Sequence, residues 1–190
     1  MQKPGAMLEV RKPAFAVRAV VALRRGSPPA NPSSCLPSPA SYHSPMSPES
    51  SVKIGAFAVL KDEQSRILLL HRNDRDQWCL PGGLFEMGES VIDCVLRECA
   101  EEIGVKITID RLLGIYSDPK VHLFNLKDGN RVQYVTFVFL ARITEGTPLF
   151  NPDESRGMQF FAKSALPPVV PSHRVWIEDG FEPGTLPHLK

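Results

Sequence analysis

The sequence has little cysteine and no long apolar run. Its four cysteines show no CxxC spacing and lie in apolar contexts, at Cys35, Cys79, Cys94 and Cys99. This pattern argues against a zinc finger or a disulfide framework and favours a reducing, cytoplasmic setting. No stretch of about 18 apolar residues occurs, so we expect no membrane-spanning helix and no membrane partner.

A strong excess of one charge is lacking as well. The formal net charge is +1 at pH 7, and residues 52–190 carry 16 basic against 19 acidic side chains. This part of the chain is mildly acidic and has no overall attraction for a nucleic-acid polymer. A small anionic substrate would therefore need a local cation to help it bind.

Proline and serine are concentrated at the start of the chain. Half of the 18 prolines precede residue 52, and such a composition cannot bury enough apolar surface to offset chain entropy. We predict a disordered Pro/Ser-rich extension over residues 1–51 and a folded domain over 52–190. The segment "LEVRKPAFAVRAVVALRRGS" is basic and apolar. It is either a weak organelle-targeting segment or a tail upstream of a start at Met46.

The sequence of residues 52–190 predicts more strand than helix. Apolar alternation and β-branched residues predict a hairpin of strands 52–60 and 67–72, an extended piece at 78–83, and strands at 105–117, 131–143 and 158–162. Helical spacing predicts a helix from Glu89 to Ile103 that ends at Gly104. A second helix is expected over 171–181, with Ser172 as its cap.

Three glutamates crowd the end of the first predicted helix. Glu98, Glu101 and Glu102 share one helical face, where like charges repel and the helix dipole disfavours negative charge. A set of oxygen ligands without histidine or thiolate suits a hard cation such as Mg²⁺ or Mn²⁺. The alternative is an ordinary solvated acidic face that Arg97 and Lys106 partly neutralise.

The stretch "GGLFEMGESVIDCVLRECAEEIGV" resembles the Nudix box, which reads G x5 E x7 R E U x E E x G U with U apolar. All seven fixed positions match, and Cys99 occupies an apolar position, where a buried thiol behaves as a small hydrophobe. The resemblance extends over roughly residues 52–182. The matched residues are Gly83, Glu89, Arg97, Glu98, Cys99, Glu101, Glu102, Gly104 and Val105.

The resemblance implies an α/β fold, a Nudix-type α/β/α sandwich with a mixed β-sheet. It also implies a divalent metal site of Glu98, Glu101, Glu102 and the carbonyl of Gly82. Glu98 matches a position that acts as the general base in some members of the family, and Arg97 matches the residue that orients this carboxylate.

Outside the box the candidates are weaker. Glu89 matches a structural partner of the helix, and "NPDESRG" supplies Asp153 and Glu154 as candidates for a further base or ligand. The predicted catalytic set is Glu98, Arg97 and Glu154. A capped polar turn explains the later segment equally well.

Several other side chains have both a functional and an ordinary interpretation. Trp78 either stacks on a base or packs in the core, and Arg72 and Arg75 either meet phosphates or are simply solvated. His71 and His122 have no companion at ligand spacing, so surface or satisfied histidines are expected.

The implied reaction is metal-dependent hydrolysis of a pyrophosphate bond in a nucleoside diphosphate linked to another group. Pro119, a little over a dozen residues after the box, resembles a residue of ADP-ribose pyrophosphatases in this family. ADP-ribose or a sugar nucleotide is therefore favoured over nucleoside triphosphates and dinucleoside polyphosphates. A non-catalytic, nucleotide-binding regulator is the alternative function, and a homodimer is left open.

Overall fold

The structure is a computed structural model that describes residues 50–126 and 129–190. The predicted disordered extension and the targeting segment lie outside these residues, except for Ser50 and Ser51, which begin the first strand. None of the helices in the described ranges is long and apolar enough to span a bilayer.

Within these ranges the chain forms nine strands, three α-helices and a short 3₁₀ helix at Lys163–Ala165. The strands are β1 Ser50–Leu60, β2 Ile67–Arg72, β3 Trp78–Cys79, β4 Gly82–Leu84, β5 Lys106–Tyr116, β6 Leu123–Asn125, β7 Arg131–Glu145, β8 Ser155–Phe161 and β9 His188–Leu189. The helices are α1 Val91–Ile103, α2 Pro119–His122 and α3 Pro171–Phe181. The longer predicted elements are all present, whereas α2, β6 and β9 were not predicted.

Two sheets form the middle of the fold. The larger sheet is mixed and has the order β4-β1-β7-β5-β9, with β6 added on β7. In this sheet β1 runs parallel to β7, while β4 and β5 pair antiparallel with their neighbours β1 and β7. The smaller sheet is antiparallel, with the order β3-β2-β8.

The predicted hairpin of β1 and β2 is wrong. These strands belong to different sheets, and an isolated antiparallel bridge joins Lys61, one residue after β1, to Ile67. The turn itself forms, because Oδ1 of Asp62 accepts hydrogen bonds from the backbone N–H groups of Gln64 and Arg66. Both edges of β1 are already paired with β4 and β7, so β2 completes its hydrogen bonds with β3 and β8.

The sheets are covered on both sides, as the α/β/α sandwich requires. Ala56 and Ala58 of β1 belong to the core that includes the buried residues of α1. Val59, on the opposite face of β1, belongs to a second core with Trp176 and Ile177 of α3. Side chains alternate across a strand, so one strand serves both cores. The predicted fold class is confirmed.

Helix α1 has well-defined ends. Ser90 caps its start, accepting a hydrogen bond from the backbone N–H of Asp93, whose carboxylate in turn accepts from the Ser90 backbone N–H. The helix therefore begins two residues after the predicted Glu89. Gly104 ends it with φ of 67°, a left-handed conformation that glycine adopts without a steric penalty.

The predicted cap of the last helix is wrong. Val170 occupies the cap position of α3 and makes no side-chain cap hydrogen bond, while Ser172 lies buried inside the first turn. Pro171 stands at the first helical position, where its fixed φ suits a helix and its missing N–H is not needed. The proline therefore sets the start of α3 in place of a serine cap.

Candidate active site

Helix α1 and strand β4 meet where the glutamates lie. Gly83 of β4 approaches Glu98 so closely that a Cβ on Gly83 would lie 2.3 Å from Oε1 of that carboxylate. Gly82 has φ of 132°, and its Cβ would lie 2.3 Å from the carbonyl oxygen of Ala56. The two glycines thus let the strand pass directly between β1 and the helix.

Glu102 is the most buried of the three glutamates. Its Oε2 accepts a 2.7 Å hydrogen bond from the backbone N–H of Gly82. Burial raises the pKa of Glu102 to about 8, the Gly82 hydrogen bond opposes this, and the charges of Glu98 and Glu154 add to the rise. Glu102 forms no salt bridge within the described residues, and the charge of Arg72 lowers its pKa less than burial raises it.

Arg97 connects the remaining carboxylates. Its Nε and Nη2 donate to the two oxygens of Glu89 at 3.1 and 3.0 Å, and Nη1 donates to Glu98 and Glu101 at 3.0 Å each. Nη2 also donates to the carbonyl oxygen of Leu84 at 3.2 Å. Hydrogen bonds from Arg97 lower the pKa of Glu89 to about 2. One guanidinium therefore fixes the position of Glu98 and ties the loop to the helix.

Glu98 is a partly buried carboxylate whose pKa is shifted by its neighbours. Burial raises its pKa, Arg97 opposes that rise, and the charges of Glu101 and Glu154 add to it. Arg97 occupies Oε1, and within the described residues no hydrogen bond is made to Oε2.

The loop before β8 brings Glu154 to the same site. The backbone N–H of Asn151 donates to the carbonyl oxygen of Glu102 at 2.8 Å, so the loop is joined to the end of α1. The charge of Glu154 raises the pKa of both Glu98 and Glu102. Asp153 donates its backbone N–H to Oδ1 of Asn151. Of the two predicted candidates, Glu154 is the one whose charge is a main influence on the pKa of both glutamates.

The donor set suits a hard divalent cation. Glu98 and Glu102 are carboxylates whose pKa values are raised by burial and by the charges of neighbouring carboxylates, and a nearby cation would relieve both costs. In residues 50–126 and 129–190 no group of three or more His, Cys, Asp or Glu is already arranged to hold a metal ion. Glu101, one of the predicted ligands, has a side chain that is 52% exposed and paired with Arg97.

A cavity of about 450 Å³ lies beside these glycines. Gly82 and Gly83 form part of its wall, and Arg72 and Arg75 add two cations. Asp74 bridges the two guanidinium groups at 2.7 and 2.9 Å, so the arginines are held in place and partly neutralised. Their position next to the glutamate site is suitable for the phosphates of a substrate.

Aromatic side chains complete the cavity. Phe124 is 40% exposed and meets Tyr134 edge to face, while Trp176, His122 and His173 form a buried wall. His122 was expected to be an ordinary histidine, and the other two wall residues were not predicted. His173 and Trp176 are three apart on the predicted helix 171–181, so their common face was readable from the sequence.

Trp78 lies outside the cavity lining. It stacks on His71 with ring centroids 4.6 Å apart and meets Phe161 edge to face. Packing within the protein is thus the observed arrangement.

Pro119 stands at the first position of α2, directly after the N-cap residue Asp118, whose Oδ1 accepts a hydrogen bond from the backbone N–H of Lys120. A structural reason for this proline therefore exists.

Fold and site together define an α/β/α protein with a carboxylate cluster at the edge of an arginine-lined cavity, as in enzymes of phosphate chemistry. The NUDIX domain model matches residues 52–180. The chain therefore belongs to the Nudix family, and its class is that of the Nudix pyrophosphohydrolases.

Individual relatives agree with this assignment. A putative 8-oxo-dGTP diphosphatase from Bacillus subtilis is 31% identical over 126 residues, which cover 66% of this chain and 77% of that protein. An ADP-ribose pyrophosphatase from Methanocaldococcus jannaschii is 30% identical over 132 residues, covering 66% and 71%. A solved UDP-X diphosphatase superposes with a TM-score of 0.61 at 25% identity, covering 80% of this chain and 73% of that one.

Proposed function

We propose that the protein hydrolyses the pyrophosphate bond of a nucleoside diphosphate linked to a sugar, with a divalent cation as cofactor. The observation that carries the proposal is the buried carboxylate of Glu102 beside Glu98, which forms no salt bridge within the described residues and lies at the edge of a cavity lined by Arg72 and Arg75. Glu98, Glu101, Glu102 and the carbonyl of Gly82 would hold Mg²⁺ or Mn²⁺.

Glu98, Arg97 and Glu154 have different roles in the proposed reaction. When bound, the cation neutralises phosphate oxygens and lowers the pKa of water. Oε2 of Glu98 takes a proton from the attacking water, whose oxygen bonds to phosphorus as the bridging P–O bond breaks. Arg97 is a positioning residue that holds Oε1 of Glu98, and Glu154 assists as a second base or ligand.

The cavity supports the choice of substrate. Arg72 and Arg75 supply cations for two phosphates, and the exposed ring of Phe124 offers a face for a base. Two of the relatives above are named for ADP-ribose and UDP-X, which agrees with a diphosphate linked to another group. The relative named for 8-oxo-dGTP keeps nucleoside triphosphates as the second choice of substrate.

A substrate panel tests the proposal. The full chain and its Glu98→Gln variant are incubated with Mg²⁺ or Mn²⁺ and with ADP-ribose, a UDP-sugar, a nucleoside triphosphate or a dinucleoside polyphosphate. Products are separated by chromatography. Fastest turnover of a diphosphate sugar, reduced about 100-fold or more in the variant, is the expected result.

The panel also separates the alternatives. Preference for the triphosphate would reassign the substrate while keeping the catalytic site. Binding of panel members by the folded protein without turnover of any of them would favour a nucleotide-binding regulator over a hydrolase.

A further inference from the structure

Two buried polar atoms on the cavity wall lack a partner. Nε2 of His122 and Nε1 of Trp176 make no hydrogen bond within the described residues, and both side chains are only 2% exposed. Buried polar nitrogens are nearly always paired, because an unpaired one loses its hydration without compensation. Both residues line the cavity of the candidate active site. A ligand in that cavity is the natural partner for the two atoms.

The two atoms have complementary hydrogen-bonding roles. Nδ1 of His122 lies 3.3 Å from the carbonyl oxygen of Asp118, so this nitrogen carries the proton and Nε2 is left as an acceptor. Burial lowers the pKa of His122, which agrees with a neutral ring. Indole Nε1–H of Trp176 can only donate. The two cavity-lining residues therefore hold one acceptor and one donor that are without a partner in the described residues.

The faces of these two rings are covered by other aromatic rings. His122 and Trp176 stack with centroids 5.7 Å apart and planes 17° apart, and Phe57 and His173 pack on the same indole at 5.1 and 4.2 Å. The wall is thus rigid, and its faces are occupied by one another. The exposed ring of Phe124 is better placed to stack on a base.

A hydroxyl group fits this pair of nitrogens. It donates its hydrogen to an acceptor and accepts from a donor through the same oxygen, and it can rotate to suit both. The edge of a nucleobase holds its donor and acceptor in one plane, whereas His122 and Trp176 present their nitrogens from two stacked planes.

We propose that His122 and Trp176 form a subsite that binds a sugar hydroxyl of the substrate and so determines specificity for a nucleoside diphosphate sugar. This inference rests on the proposed function, since it concerns the same cavity. The hydroxyl belongs either to the ribose of the nucleoside or to the sugar beyond the diphosphate. Arg72 and Arg75 would hold the diphosphate next to this subsite.

The test combines wall variants with matched analogues. His122→Phe and Trp176→Phe remove one nitrogen each and keep an aromatic ring. His71→Phe is the control, because His71 stacks on Trp78 away from the cavity. Each protein is assayed with ADP-ribose, with its analogue lacking hydroxyls on the adenosine ribose, and with its analogue lacking hydroxyls on the distal sugar.

Each wall variant should lower kcat/KM for ADP-ribose about 10-fold, mainly through KM, while the control keeps the wild-type value. For one of the two analogues, kcat/KM should be the same in the wall variants as in the wild type. The sugar that lacks its hydroxyls in that analogue is the sugar that binds the subsite. Equal losses of kcat/KM on all three substrates in the wall variants would overturn the subsite. No loss on any substrate would overturn it as well, because water alone would then satisfy the two nitrogens.

Binding separates this inference from the proposed function. Isothermal titration of ADP-ribose is carried out on the same proteins, with thermal unfolding as the check that each variant is folded. Wild-type turnover of other nucleotides but not of diphosphate sugars would overturn the subsite and leave a hydrolase. Absence of turnover with weaker ADP-ribose binding in both wall variants would support the subsite and contradict hydrolysis. Absence of both binding and turnover in the wild type would contradict both proposals.

Discussion

The backbone N–H of Gly82 donates a 2.7 Å hydrogen bond to the buried carboxylate of Glu102. This contact joins strand β4 to helix α1 at the centre of the proposed metal site. Since one amide does not neutralise a charge, the pKa of Glu102 stays raised, at about 8. Burying this carboxylate therefore costs folding free energy, and a bound cation would remove that cost.

Glu102→Gln should stabilise the metal-free protein at high pH. The pKa of Glu102 is higher in the folded state, at about 8, than its ordinary value of 4.5, so the wild type loses stability as the pH rises from about 4.5 to about 8. The variant lacks this loss. We expect its advantage in unfolding free energy to be about 1–3 kcal/mol at pH 9 and to shrink at pH 5. Urea unfolding in a chelator measures this, and an advantage independent of pH would contradict the raised pKa.

Arg97→Lys should weaken the fold as well as the site. Lysine cannot reproduce the guanidinium hydrogen bonds to Glu89, Glu98 and Glu101, so we expect a loss of about 1–3 kcal/mol in unfolding free energy.

Arg142→Lys is the matched control for the arginine variant, because Arg142 pairs with Asp110 on the exposed surface. Its effect should stay within about 0.5 kcal/mol. Equal effects of the two variants in urea unfolding would show that Arg97 is not a special organising residue.

Glu154→Gln and Asp153→Asn should differ in activity. The charge of Glu154 raises the pKa of both Glu98 and Glu102, so its variant should lower kcat about 10-fold or more. Asp153→Asn, one residue away, should keep wild-type kcat. Steady-state kinetics on the preferred substrate checks both variants, and the reverse order would move the catalytic role to Asp153.

His173 should make the protein sensitive to acid. Its burial lowers its pKa to about 3, and its Nδ1 accepts from the backbone N–H of Leu80. Between pH 6.5 and about 3 the unfolded state binds a proton that the folded state does not, so stability falls as the pH drops, by about 1.4 kcal/mol per unit.

His173→Asn keeps an acceptor for Leu80 and removes the titration. Urea unfolding between pH 6.5 and 4.5 should show a shallower loss of stability in this variant than in the wild type. An identical slope in the two proteins would mean that His173 does not contribute to acid sensitivity.

Much of the fold could be predicted because local signals were strong. Alternating apolar residues marked β1 and β7, and Gly104 marked the end of α1. The predicted pairing of β1 with β2 is wrong, because closeness in sequence does not decide which strands form hydrogen bonds with the two edges of β1. Local sequence also could not reveal that Pro171 sets the start of α3.

The candidate site was predictable in part. The helical spacing of Glu98, Glu101 and Glu102 predicts a carboxylate cluster. The roles of these residues in metal binding and catalysis stay predictions. The cavity wall was not predictable in the same way. His122 and Trp176 are far apart in sequence and meet only because α2 and α3 pack together, so no local pattern connects them.

The most direct measurement is the rate of ADP-ribose hydrolysis as a function of Mg²⁺ or Mn²⁺ concentration, for the wild type, Glu102→Gln and Glu145→Gln. Glu145 is an exposed glutamate paired with Lys106 and serves as the matched control. We predict metal-dependent turnover in the wild type and the control, and a loss of about 100-fold or more in Glu102→Gln. Turnover and metal dependence in Glu102→Gln equal to those of the wild type would contradict the assignment of the glutamate cluster as the catalytic metal site.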